Sequence, residues 1–468
     1  MNRLLRILVV TAALFVPARA WAHAKLKRSE PAAGSQLAGP PQVIRLWFSE
    51  QPELSMTFGS LNDSAGKTFA LSSAERQTSG QLGIAFHVLS ALPVGRYTFS
   101  WRTAASDGHP SSGKFTFVVL AAPTQASGLA SHPWGVQVDS PGGAHSAGAR
   151  AAPRKETPLD AEDVDAASSI GNSIARAFLF LALLALIGAV AFKLLVLRAA
   201  RAVPNELKQR MSQRAATLGM MAAVLVIIVA LVRLNLESQM MSAMPDMPGM
   251  KAMSVRGMVM RTDWGFAFRI QLASALGALL GFALAARVRG GWFVATASAL
   301  ILAITPALGG HAAASPRFTS LMIAADWLHI LGGASWLGCL LCVVAIGVPI
   351  VWTLELQNRW ESIASLVNAF SPLALASAGV VVASGVFASW IHLEHLSALW
   401  HTTYGKTLLV KLLLVATTFA IGAYNFKRVQ PQLLTEIGAL RLRKTAATEL
   451  AVGLMILLVT GLLTGVSP

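Results

Sequence analysis

A chain of 468 residues with 54% hydrophobic and only 13% charged side chains is too apolar for an ordinary water-soluble globule. Its formal net charge of +16 is not a nucleic-acid footprint, because much of it sits in short clusters between apolar runs, where Lys and Arg orient membrane proteins. The only two cysteines, Cys339 and Cys342, fall in one apolar run, so the polar N-terminal part must fold without a disulfide.

The chain opens on a leader. Arg3 and Arg6 precede an apolar stretch from Ile7 to Val16, and Ala20-Trp21-Ala22 has the small-x-small form that signal peptidase cuts. The apolar core is too short for a span, so residues 1–22 are expected to be a cleaved signal peptide. His23 then becomes the first residue and offers a free amine and an imidazole together. Two nitrogens on one residue suit Cu(II), which tops the divalent affinity series.

Residues 23–120 show the alternation and turn punctuation of β structure. Strands are predicted at Val43–Phe48, Ser55–Phe58, Ile84–Val88, Gly95–Trp101 and Gly113–Val119, enough for a small sandwich or barrel. Asp107-Gly108-His109 falls in the loop before the last strand. Asp-Gly-His is also a common turn, but in extended backbone its two side chains point the same way. With His23 they would complete a tetragonal set of three nitrogens and one oxygen for Cu(II).

His23-Ala24, Ser29-Glu30-Pro31-Ala32, Leu46-Trp47-Phe48-Ser49-Glu50 and Ser106-Asp107-Gly108-His109-Pro110 together resemble the periplasmic copper-resistance protein CopC. The resemblance implies an all-β Greek-key sandwich holding Cu(II) through His23, Asp107 and His109, with Glu50 as a further ligand or a supporting group. Some members carry a second, methionine-rich Cu(I) site in this domain. Met56 is the single methionine between residues 23 and 120, so that site is not expected. His87 lies in an apolar strand pattern and reads as structural.

Residues 121–170 are rich in Pro, Gly, Ala and Ser, then acidic at Asp160, Glu162, Asp163 and Asp165, and read as a flexible linker. His132 and His145 there read as solvated linker residues.

From residue 171 to 468 the chain reads as an all-α membrane bundle. Eight apolar runs can each cross the bilayer as a helix: 174–197, 215–234, 264–286, 291–309, 320–351, 369–391, 405–425 and 446–466. Basic residues cluster in 198–214, 287–290 and 426–445, which fall on one side when eight spans alternate. The positive-inside rule makes that side cytoplasmic and places both termini outside a bacterial inner membrane. Loop 352–368 is nearly neutral by contrast, and the opposite loop 235–263 carries Lys251, Arg256 and Arg261.

That opposite loop holds Met240, Met241, Met244, Met247, Met250 and Met253, six thioethers interrupted by Pro and Gly. Soft thioethers select Cu(I), so this is the expected Cu(I)-capture segment. Ionisable groups within spans are expensive and usually face a pathway. His311, the pair Asp326 and His329 on one helical face, and the pair His392 and His395 gather toward the same side. Cys339 and Cys342 form a CxxC but lie deep in an apolar helix, where cysteine behaves as a small hydrophobe.

Gly310-His311, Asp326-Trp327-Leu328-His329, Trp336-Leu337-Gly338, Ser384-Gly385, Trp390-Ile391-His392 and Thr403-Tyr404-Gly405-Lys406, with Lys411 and Asn425, resemble the CopD family of inner-membrane copper-resistance proteins. A fused CopC–CopD chain of the YcnJ-like importer type implies copper capture and passage across the membrane, with no enzymatic chemistry. Its expected partners are copper ions, the lipid bilayer, and periplasmic copper chaperones or a reductant. The alternatives are a membrane copper buffer that does not transport, and a haem-binding electron-transfer protein.

Overall fold

The structure is a computed structural model that describes residues 26–77, 82–104, 110–121, 166–242, 254–288, 290–310, 318–392 and 397–464. The expected signal peptide and almost all of the expected linker lie outside the described residues.

Among the described residues the N-terminal part has nine strands: β1 Leu26–Glu30, β2 Gln36–Leu37, β3 Val43–Phe48, β4 Phe58–Asp63, β5 Thr68–Phe69, β6 Glu75–Arg76, β7 Gly83–His87, β8 Gly95–Ala104 and β9 Pro110–Val119. They pair as a four-stranded sheet, β1-β3-β7-β6, and a five-stranded sheet, β2-β9-β8-β4-β5. Alternation decides which side chains meet between the sheets. Ile44, Leu46 and Phe48 of β3 are buried, as are Tyr97, Phe99 and Trp101 of β8 and Phe115, Phe117 and Val119 of β9. Phe48 meets Trp101 edge-on with ring centroids 5.0 Å apart. The Tyr97 hydroxyl reaches the core edge and donates to Pro93 O at 2.6 Å.

One predicted strand is not a strand. Leu54–Met56 is a 3₁₀ turn, and β4 begins only at Phe58. The physical reason is visible in the packing. Met56 is buried outside the sandwich core, in a cluster with Ala230, Met258, Trp264 and Phe268 of the membrane part. Its apolar side is satisfied by a different partner, so no strand alternation is required there. His87 ends β7 half exposed, with Nε2 3.8 Å from Glu75 Oε2.

Eight helices among the described residues are long and apolar enough to cross a membrane. They are α1 Gly171–Ala199, α2 Asn205–Ser242, α3 Asp263–Ala285, α4 Gly291–Leu308, α5 Thr319–Val351, α6 Asn358–Ile391, α7 Thr403–Gln432 and α8 Glu436–Leu463. A short helix, Val255–Arg261, precedes α3. Helices α3, α7 and α8 start in the same way. Thr262, Thr402 and Thr435 each accept, through the side-chain oxygen, a hydrogen bond from the N–H of a glycine three residues on. Alternating spans put the starts of α1, α3, α5 and α7 at one end of the bundle, and the sandwich contacts α3 at that end.

The helices approach closely where side chains are small. Gly188 of α1 faces Gly338 of α5, and a Cβ at either position would overlap the other helix's backbone. Gly338 closes a π-helical turn, Ala334–Gly338, and a second such turn follows at Val343–Gly347. Cys339 and Cys342 are fully buried free thiols beside this crossing, and Cys339 Sγ donates to Gly188 O at 3.6 Å.

Candidate functional site

Two regions of chemical interest emerge: the junction between sandwich and bundle, and a polar column inside the bundle. The junction is built by Glu53. Its backbone N–H donates to Ala104 O at 2.8 Å, which fixes the turn against the end of β8. Its carboxylate then reaches across to the membrane part, where Oε2 accepts from the backbone N–H of Asp263 at 2.9 Å. Oε1 accepts from Ser55 Oγ at 2.9 Å. Asp263 begins α3, so the carboxylate sits against the positive end of a 23-residue helix. Glu53 is only 8% exposed, and its carboxyl is held above the ordinary carboxylate range chiefly by burial, with the nearby Asp263 charge adding to the effect.

Around this bond the contact is apolar. Met56 and Ala104 of the sandwich pack with Ala230 of α2, Met258 of the short helix, and Trp264 and Phe268 of α3. Trp264 and Phe268 stack with centroids 5.4 Å apart and planes 11° apart. Ala104 is the last described residue before the loop that carries Asp107 and His109. The junction therefore lies three residues before Asp107 in the sequence.

Of the expected Cu(II) ligands, His23, Asp107 and His109 lie outside the described residues. Glu50 is described and half-buried, just after β3. Among the thioethers, Met244, Met247, Met250 and Met253 lie outside the described residues, and so does the side chain of Met241. Met240 is described. It lies on α2, which runs as helix to Ser242, past the end expected from sequence. Its sulfur is buried and accepts from Asn172 Nδ2 of α1 at 3.5 Å, while the same nitrogen lies 3.4 Å from Glu237 Oε1. Met258 and Met260 lie on the short helix, where Met260 Sδ accepts from Arg269 at 3.4 Å.

His311 and His395 lie outside the described residues, as does the side chain of His392. Asp326 and His329 share a face of α5. His329 Nδ1 is 3.0 Å from Ser384 Oγ of α6, and the imidazole ring packs beside Gly385. Lys411 of α7 is within electrostatic reach of both Asp326 and His329, and Tyr404 of Asp326. These groups join α5, α6 and α7 below the sandwich-bearing end. Among the described residues, no three His, Cys, Asp or Glu side chains converge as a metal cage.

Two turns further along α5 the column continues. Trp336 Nε1 donates to Glu449 Oε1 at 3.2 Å, and Asn425 Nδ2 of α7 donates to Glu449 Oε2 at 3.2 Å. Glu449 is 3% exposed. Neither Glu449 nor Glu53 is among the site residues expected from the sequence. Glu449 had a signal, being the only ionisable residue in the apolar run 446–466. Glu53 had none, because nothing local says that its partner lies 210 residues away.

Comparison with known proteins gives a consistent picture. Residues 26–120 match the CopC domain, residues 166–316 the copper resistance protein D-like N-terminal domain, and residues 364–463 copper resistance protein D. Copper transport protein CutJ of Bacillus subtilis (strain 168) is 25% identical over 98% of this chain and 76% of its own length. Copper resistance protein C of Pseudomonas syringae pv. tomato is 34% identical over 25% of this chain and 98% of its own length. The crystal structure of CopC from Methylosinus trichosporium OB3b covers 23% of this chain and 100% of its own, at 28% identity and a TM-score of 0.20.

Proposed function

Because this chain belongs to the copper-resistance proteins that join a CopC domain to a CopD membrane domain, we propose that it captures copper outside the inner membrane and passes it through the bundle toward the cytoplasm. The observation that carries this reading is the junction. Glu53 and Met56 seat the sandwich on the start of α3, and Ala104, three residues before Asp107 in the chain, packs into the same contact. A tethered donor domain already in contact with its acceptor raises the local concentration of its cargo at the acceptor site.

In this reading His23, Asp107 and His109 hold Cu(II), with Glu50 beside them. The methionines from Met240 to Met253 take Cu(I), whose soft character matches thioether sulfur. The change of oxidation state takes one electron from a periplasmic reductant or copper chaperone. His311, His392, His395, Asp326 and His329 then line the way in. The Lys411 ammonium beside Asp326 and His329 repels a copper cation, so passage there depends on the Asp326 carboxylate offsetting it. The sandwich occupies the bundle end poorer in Lys and Arg, which the positive-inside rule assigns to the periplasm in this reading.

Reconstituted full-length protein tests the proposal. Liposomes containing it should accumulate copper faster than empty ones, and His23→Ala and Asp326→Ala should each slow that accumulation. Copper bound at the sandwich with no accumulation inside would instead identify a membrane copper buffer.

A further inference from the structure

Glu449 takes no part in the path described above, yet it is a carboxylate only 3% exposed within the membrane span α8. It sits on α8 between Trp336 of α5 and Asn425 of α7, and each of its oxygens accepts one N–H. The charged groups nearest along the chain are Arg441, Arg443 and Lys444 on α8 and Lys427 and Arg428 on α7, and all five are exposed. From α5 comes the Cys339 thiol, which donates to Gly188 O of α1. Among the described residues no cation pairs with Glu449. A carboxylate at this depth needs either a counter-cation or a proton.

Asn425 Oδ1 is buried and has no hydrogen-bond partner among the described residues. A buried acceptor without a donor is uncommon and asks for an explanation. A protonated Glu449 supplies one. The ionised carboxylate accepts from Trp336 and Asn425, whereas the acid form also offers an O–H to the amide oxygen of Asn425. The same three side chains thus serve both protonation states. Trp336 lies in the π-helical turn of α5, and Asn425 opens another in α7. Such turns recur at functional positions in helices.

We propose that Glu449 is a proton-carrying carboxylate, which binds one proton in the copper-free bundle and releases it as a copper cation passes. This rests on the transport reading and adds its coupling ion. Charge balance is simple: one positive charge enters the buried site region as one proton leaves it. Positioned between the middle of the bundle and its Arg- and Lys-bearing end, Glu449 would act late on the path.

Two measurements on the full chain test this separately from transport itself. The first is infrared difference spectroscopy of the reconstituted protein between acidic and alkaline pH. A buried carboxylic acid C=O band should appear, vanish in Glu449→Gln, and shift in Asn425→Ala; a band unaltered by both variants overturns the proposal. Should Glu449→Gln fail to fold, Glu449→Asp must shift the same band, and its failure to do so is equally decisive. The second follows copper uptake and internal pH together in liposomes. Wild-type uptake should change several-fold with an imposed pH gradient, and Glu449→Gln should lose that response. Copper uptake with an unaltered gradient response in Glu449→Gln overturns the inference while leaving transport standing. A wild-type band that behaves as expected without any copper uptake overturns the transport reading alone.

Discussion

Glu53 shows how much one side chain can carry at a junction between two kinds of structure. It closes its own turn through Ala104, accepts a hydrogen bond from Ser55, and caps the first turn of a helix on another part of the chain. Truncation to Ala leaves the Asp263 N–H without its acceptor, which typically costs about 1–3 kcal/mol. Donor and acceptor dyes on the sandwich and the bundle end should therefore report a larger separated population in Glu53→Ala. The pH dependence has a definite sign. Burial raises the docked carboxyl above its ordinary value of 4.5, so the docked state binds the proton more tightly than the separated state. Docking should be strongest at acidic pH and weaken as pH rises from 4.5 through the raised value. Glu53→Gln keeps an oxygen acceptor but cannot titrate, so the same dye measurement should lose its slope.

At the scale of elements, the bundle depends on where α1 and α5 cross. Gly188 and Gly338 meet backbone to backbone, and the π-helical turn ending at Gly338 adjusts the phase of α5 as it passes. Lipid offers no hydrophobic drive for helix association, so close van der Waals contact between small residues takes that role. Gly188→Leu should force the helices apart and destabilise the bundle by at least the ~1–3 kcal/mol typical of overpacking. The check is a lower unfolding temperature in detergent, with the aromatic core of the sandwich retaining its near-ultraviolet dichroism. An unchanged transition would mean that this crossing is not a fixed contact.

For the whole molecule, the arrangement that matters is one sandwich seated on one end of eight helices. In the proposed orientation the end opposite the sandwich, which carries the basic clusters around residues 198–214 and 426–445, faces the cytoplasm. Ala91 lies exposed on the sandwich and Gln209 exposed near the start of α2. In intact cells made permeable only at the outer membrane, a membrane-impermeant maleimide should label Ala91→Cys and spare Gln209→Cys. The native Cys339 and Cys342 are buried and should give little background. Labelling of Gln209→Cys alone would invert the assignment and with it the direction of the proposed copper path.

Length, alternation and apolar runs were enough to read a β-rich unit followed by eight spans, because strand and helix periodicities are local properties and a membrane span is a matter of length. The family motifs were equally legible, since they are short local runs of residue type. Partnership was not. Met56 read as part of a strand, whereas its burial against Met258 and Trp264 makes it part of the junction. Lys411 was visible as a residue but not as the neighbour of Asp326 and His329. Glu449 gains its meaning from Trp336, 113 positions away, and from Asn425 on a third helix. The physical reason is the same throughout: the sequence by itself determines which groups must be buried or satisfied, and only the tertiary structure decides which distant group does the satisfying.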